Sequence, residues 1–214
     1  MSDNAAGTDN QQGSLVEPIA RFDPSETTRR TPTKQEIKAY FQGAVHDGTY
    51  NRYNQRIRIA QKGTAWLEVL QNLLRSIGQS SWIYREGKKR NVYILETKAP
   101  FIDFSFNPLC LKSRREKCAY IRGFFDAEGG IPRNNQSRFY IQLVQSDRPK
   151  LTKLKRLLGE LGIDIGVIHN PSVAVDPKYW RMFVRAHSHR TFIRLIGSWH
   201  PRKLIILKQR WMMI

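Results

Sequence analysis

The chain has 214 residues, with 36 Lys plus Arg against 18 Asp plus Glu and a formal net charge of +18. That excess calls for a polyanionic partner, nucleic acid before any other. No apolar run approaches the roughly 20 residues of a spanning helix, so no membrane partner is expected. Cys110 and Cys118, the only cysteines, have no histidines spaced as zinc ligands and imply neither a disulfide framework nor a structural zinc site.

Residues 1–33, beginning MSDNAAGTDNQQGS, are polar and aperiodic. They lack the apolar core of a secretory signal, and their acids argue against an organellar transit peptide. A disordered tail on an intracellular, cytoplasmic protein is expected.

Beyond the tail the chain repeats itself, which divides it at 34–109 and 110–214. TPTKQEIKAYFQGAVHDG (31–48) lies over CLKSRREKCAYIRGFFDAEGG (110–130) at an offset of 80, matching Thr33 with Ser113, Glu36 with Glu116, Tyr40 with Tyr120 and Gly43 with Gly123. Both hydroxyl–glutamate pairs have the spacing of a capping box, so two helices start alike. Ala39, Gly43 and Asp47, like Ala119, Gly123 and Ala127, recur every fourth residue and give each helix a ridge of small residues where another backbone can approach. The second helix ends in Asp126 and Glu128, against the helix dipole, and a positive group is expected beside them.

After the first helix, RYNQRIRIAQ (52–61) alternates as a strand, with Arg52, Asn54, Arg56 and Arg58 on one face. RFYIQLVQ (138–145) does the same with Arg138, Tyr140 and Gln142. QKGTAWLEVLQNLLRSIG (61–78) then lies over QSDRPKLTKLKRLLGELG (145–162), two leucine-striped helices with Gly78 and Gly162 as C-terminal caps. Each is followed by two more candidate strands, 80–86 with 91–97 and 163–169 with 178–186. The fold class is α+β: two pseudo-symmetric αββαββα repeats with antiparallel sheets, helices packed behind and a polar face in front.

Ile121 to Gly129, IRGFFDAEG, resembles the signature of the LAGLIDADG homing endonuclease family, with Glu128 at its second acidic position. The resemblance implies a monomer of two repeats whose paired helices deliver acids to a shared site under a DNA-binding saddle. It makes Glu128 a metal-binding carboxylate. The first motif, FQGAVHDG, is one residue shorter, so either Asp47 supplies the second acid across a one-residue deletion or Gly48 stands there and that half-site is empty; the matching Asp47-Gly48 and Glu128-Gly129 steps favour the deletion. His46 replaces the first acid of the motif and reads as a packing residue.

By the same resemblance Gln61 and Gln145 position water and Lys98 stabilises transition-state charge, with Ser188 or His189 replacing that lysine in the second repeat. Oxygen ligands alone suit Mg²⁺ or another divalent cation such as Mn²⁺. His187, His189 and His200 are read as solvated or phosphate-facing rather than as a metal cluster. Arg52, Asn54, Arg56, Arg58, Arg138, Tyr140, Gln142 and Arg181 are of types that read major-groove base edges of double-stranded DNA, while Lys88, Lys89 and Arg90 suit phosphates. The function expected is metal-dependent, sequence-specific cleavage of both DNA strands by a freestanding or intron-encoded enzyme. The alternatives are an intron maturase that binds RNA and a DNA-binding regulator with a decayed site.

Overall fold

The structure is a computed structural model and describes residues 30–87, 90–133 and 137–213. The tail expected at 1–33 falls outside these residues up to position 29, as do Lys88 and Lys89. No helix among the described residues is long and apolar enough to cross a membrane.

Two long helices form the centre, α1 (Lys34–Ala44) and α3 (Arg114–Glu128). Both begin with the capping box expected: Thr33 Oγ1 accepts from the Glu36 amide at 3.3 Å while the glutamate reaches back to the Thr33 amide at 2.7 Å, and Ser113 and Glu116 repeat this at 3.1 and 3.3 Å. The small-residue ridges pack on each other. A Cβ added to Gly43 would lie 2.1 Å from the Tyr120 carbonyl oxygen, and one on Gly123 would lie 2.0 Å from that of Tyr40. The two backbones therefore touch where only hydrogen fits.

The first repeat continues with a 3₁₀ turn (Val45–Asp47), then β1 (Gly48–Asn51), β2 (Arg56–Lys62), α2 (Ala65–Ser76), β3 (Ser81–Arg85) and β4 (Val92–Thr97). Its antiparallel sheet has the order β1-β2-β4-β3. The second repeat follows α3 with β5 (Gly129–Gly130), β6 (Gln142–Gln145), α4 (Arg148–Glu160) and β7 (Trp180–Phe183), and ends in α5 (His189–Leu195) and α6 (Pro201–Trp211). Its sheet has the order β5-β6-β7, and bridges from Ile165 and His169 to Val184 and Arg181 stand where the other sheet has β3. α2 and α4 bury their leucine stripes, Leu67, Leu70 and Leu74 in one and Leu151, Leu154, Leu157 and Leu158 in the other. Each ends in a Schellman turn: the Gln79 and Ile163 amides donate to Leu74 and Leu158 oxygens at 2.9 and 3.0 Å, across Gly78 (φ 76) and Gly162 (φ 74).

Several boundaries differ from those the alternation suggests. The run 52–61 is a hairpin: Asn51 Oδ1 accepts from the Tyr53 amide at 3.0 Å and Gln55 takes φ 53, so Arg52 and Asn54 sit in the turn and only Arg56 and Arg58 are on a strand. The run 138–145 is strand only from Gln142, because its partner β5 is two residues long; Arg138 and Tyr140 precede the ladder. Between the two bridges at 163–169, four residue steps face three on the other chain segment, a bulge that breaks the expected strand. No α-helix closes the first repeat among its described residues, and a 3₁₀ turn (Pro108–Cys110) stands there instead.

The central contact yields a paired prediction. Gly123→Ala forces a methyl into a backbone oxygen and should cost about 3 kcal/mol or more. Gly159→Ala, in α4 with nothing within 4 Å of its added Cβ, should instead stabilise by about 0.5–1 kcal/mol. Urea midpoints of the two variants check both.

Candidate functional site

α1 and α3 run side by side and end together. His46 Nε2 lies 3.1 Å from the Tyr120 hydroxyl, and its ring packs 5.0 Å from that of Phe124. At the related position, 80 residues on, Asp126 accepts from the Tyr40 hydroxyl at 2.7 Å. The pair Tyr40–Asp126 thus mirrors Tyr120–His46 across the helix crossing. Gln42 and Arg122 also correspond: Gln42 Nε2 donates to the Phe101 carbonyl at 2.5 Å, and Arg122 Nε donates to that of Ile196. Each tethers the loop that closes its own repeat.

Asp126 is 2% exposed and joins three segments. Besides Tyr40 it accepts from the Ser198 hydroxyl, the Trp199 amide at 2.9 Å and the His200 amide at 3.2 Å, while Tyr40 Oη accepts from Trp66 Nε1 at 3.0 Å. Lys203 Nζ donates to the Phe125 and Asp126 carbonyls at 2.5 and 2.9 Å, supplying the cation that the end of α3 requires. Burial pushes the Asp126 carboxyl up from its ordinary value, opposed by Lys203 and by bonds from Ser198, Tyr40 and the Trp199 amide. Both oxygens of Asp126 are bonded within the protein, Oδ1 by Ser198 and Oδ2 by Tyr40 and the Trp199 and His200 amides. The first acid of the motif is therefore a structural lock.

The second acid lies differently. Glu128 is half-buried, the last residue of α3, and β5 starts at the next residue, Gly129. Asp47, of which the backbone is described, ends the 3₁₀ turn, and β1 starts at the next residue, Gly48. Gly48 pairs with Ile59 and Gly129 with Leu143, equivalent places on β2 and β6. A 3₁₀ helix rises about 2.0 Å per residue and an α-helix about 1.5 Å, so three residues of one span the length of four of the other. The shorter first motif thus reaches its sheet in the same register.

Gln61 and Gln145 lie two residues past the partners of those glycines, near the C-terminal ends of β2 and β6. Both share the helix-facing side with Ile59 and Leu143 rather than the outer face. Gln145 Oε1 accepts from the Ser146 amide at 2.7 Å and its hydroxyl at 3.0 Å, at the start of α4. Lys98 is exposed directly after β4. The Ser188 hydroxyl accepts from the Asp164 amide at 3.0 Å, and His189 Nε2 lies 3.1 Å from the Val184 carbonyl oxygen, so both are occupied structurally.

The outer faces collect most of the other expected residues. Arg56 and Arg58 project from β2; Gln142 and Arg181 project from β6 and β7, with Tyr140 beside them, 6.0 Å from the Phe183 ring. Gln142 Nε2 is 3.5 Å from the Tyr179 hydroxyl, and Arg181 Nε donates to His169 Nε2 at 3.2 Å. Arg138 departs from this face and lines a cavity of about 420 Å³ against Gln209 and Arg210 of α6. The residue the alternation missed is Glu96, on β4 directly opposite Arg58. A lone acid in an apolar strand gives a sequence reader no partner for it.

His187, His189 and His200 do not converge. His187 lies 2.7 Å from Asp164, and His200 stacks on Trp66 at 5.5 Å. Among the described residues no group of three or more His, Cys, Asp or Glu side chains is arranged to hold a metal.

Residues 115–197 match the family described as the LAGLIDADG-like domain. Mesophilic variants of the homing endonuclease I-DmoI share the fold at TM-score 0.60 and 18% identity, over 82% of this chain and 98% of theirs. I-DmoI in complex with DNA and Mn gives 0.56 and 20%, over 76% and 97%. Full-length DUF199/WhiA from Thermatoga maritima gives 0.63 and 15%, over 88% of this chain and 64% of that one. No curated protein sequence matches. The class is therefore a LAGLIDADG fold with two unequal repeats, and the second repeat carries the LAGLIDADG-like domain.

Two predictions rest on Asp126 and on His46, its counterpart in the first repeat. Asp126→Asn leaves buried donors mispaired and should cost about 2–4 kcal/mol, read from urea denaturation. Burial, reinforced by Lys150 and opposed by Asp147, lowers the pKa of His46 from 6.5 to about 4. The unfolded chain then binds the proton first, so the contribution of His46 is complete above pH 6.5 and is lost as pH falls towards 4, on the order of a few kcal/mol. His46→Gln should flatten the stability profile over that window.

Proposed function

We propose that this chain is a sequence-specific DNA endonuclease of the homing type, hydrolysing phosphodiesters in both strands of a long duplex target. The observation that carries the reading is the register-matched pair of acid–glycine steps, Asp47-Gly48 and Glu128-Gly129, at the common end of two helices in backbone contact. The fold is shared by I-DmoI and by WhiA, and what supports cleavage is these residues.

Two carboxylates with oxygen donors only suit a hard divalent cation, Mg²⁺ or Mn²⁺, and I-DmoI has been solved with DNA and Mn and with DNA and Ca. Such an ion, when bound, supplies charge neutralisation and an acidified water. Asp47 and Glu128 would hold it, with phosphate oxygens of DNA completing the ligand set. Gln61 and Gln145 hydrogen-bond and orient the attacking water from the adjacent strand ends. Lys98 offsets charge developing on the phosphate from the end of β4. The excess positive charge draws the duplex to the sheets, where Arg56, Arg58, Gln142 and Arg181 meet base edges and Arg52 and Asn54 in the hairpin turn reach further along the groove.

Duplex cleavage in Mg²⁺ tests this directly. Glu128→Gln and Asp47→Asn should each lower the cleavage rate by about a hundredfold or more while leaving duplex affinity within a few-fold. Unchanged rates would remove these acids from the site. Tight duplex binding without cleavage by the wild type would leave a DNA-binding regulator, and preference for structured RNA a maturase.

A further inference from the structure

The outer face of the first sheet carries a buried acid among its arginines. Glu96 is 5% exposed and lies on β4, with Arg58 of β2 beside it on one flank and Trp82 of β3 on the other. Both of its oxygens are engaged. Oε1 accepts from the Tyr84 hydroxyl at 2.8 Å and lies 3.2 Å from Arg58 Nε, and Oε2 accepts from Arg56 Nη1 at 3.0 Å. Arg58 Nη2 also reaches the Tyr84 hydroxyl at 3.3 Å and Glu86 at 3.1 Å. The Arg56 guanidinium stacks 4.6 Å from the Trp82 ring.

An acid on a face that meets a polyanionic duplex opposes binding, so its place there needs a reason. A free arginine is flexible and meets any phosphate; one held by a carboxylate and an aromatic ring loses less freedom when it meets a base. Arg56 and Arg58 remain about a third exposed, with side-chain values of 35% and 30%, so neither is shut off from a duplex lying on this face. Burial alone would raise the Glu96 carboxyl, but the bonds from Tyr84 and Arg56 and the charges of Arg56 and Arg58 outweigh it and hold it below its ordinary value. It stays ionised at neutral pH. In the second sheet the places of Arg58 and Glu96 are taken by Gln142 and Phe183, so this carboxylate has no counterpart there.

We propose that Glu96 is a specificity-determining residue of this face: it fixes Arg56 and Arg58 for base edges and offsets their charge, so that random phosphate contacts are disfavoured. The proposal rests on the reading of the chain as a DNA-recognising protein. It assigns to Glu96 an indirect part, acting through two arginines.

The test reads binding rather than cleavage. Duplexes are selected from a randomised library with the wild-type chain, and affinities for the recovered duplex and for a scrambled one are measured for wild type and Glu96→Gln over a salt series. Glu96→Gln should bind the scrambled duplex more tightly, with a salt dependence steeper by about one unit. Its ratio of selected to scrambled affinity should fall about tenfold or more, with the lost preference confined to one or two adjacent base pairs. A general structural defect would instead weaken all positions alike. Tyr84→Phe, which keeps the acid but removes one hydroxyl from the network, should lose part of the same preference and covers the case in which Glu96→Gln does not fold. An unchanged ratio in both variants overturns the proposal and leaves the cleavage reading standing. Failure of the wild type to recover any consensus overturns the DNA-recognition reading itself.

Discussion

The contact between Gly43 and Gly123 is the constraint on which the rest depends. With no side chain at either position, carbonyl oxygens of Tyr40 and Tyr120 come within reach of the opposing Cα atoms. That closeness brings Tyr40 to Asp126 and Tyr120 to His46, and it carries the ends of both helices to one place. Bulk at either glycine would separate two repeats that share one core.

Around this contact the two halves are alike in plan and unequal in chemistry. Tyrosine meets a buried carboxylate on one side and a half-buried, neutral imidazole on the other. The Asp126 carboxylate is satisfied by the turn before α6, and its backbone carbonyl by Lys203; His46 needs no such turn, and no α-helix closes the first repeat among its described residues. The missing residue of the first motif is absorbed by a change from α to 3₁₀, because the tighter helix climbs further per residue. The sheets, whose pairing begins at Gly48 and Gly129, then stand in equivalent register. The asymmetry is thus confined to the helix ends and the closing segments.

Much of this was legible in the residues. Capping boxes, leucine stripes and terminal glycines are local signals, and each appears where its spacing put it. The strand ends were less legible because pairing depends on a partner remote in sequence: Arg138 and Tyr140 alternate correctly but have only two residues of β5 beyond which to pair, and Arg52 and Asn54 alternate through what becomes a turn. The lock at Asp126 could be sensed only as a need for positive charge, since Lys203 lies 77 residues away. Glu96 left no signal, because the arginines that hold it belong to another strand.

Whether one site is built from both repeats can be read by mapping where a bound cation sits. With the chain on its selected duplex and Fe²⁺ as the cation, radicals generated by peroxide cut nearby backbone, and mass spectrometry locates the cuts. Cuts clustered at residues 47–48 and at 128–129 are predicted together. Cuts beside Glu128 alone, or scattered over the basic surface, would contradict a site shared by the two helices.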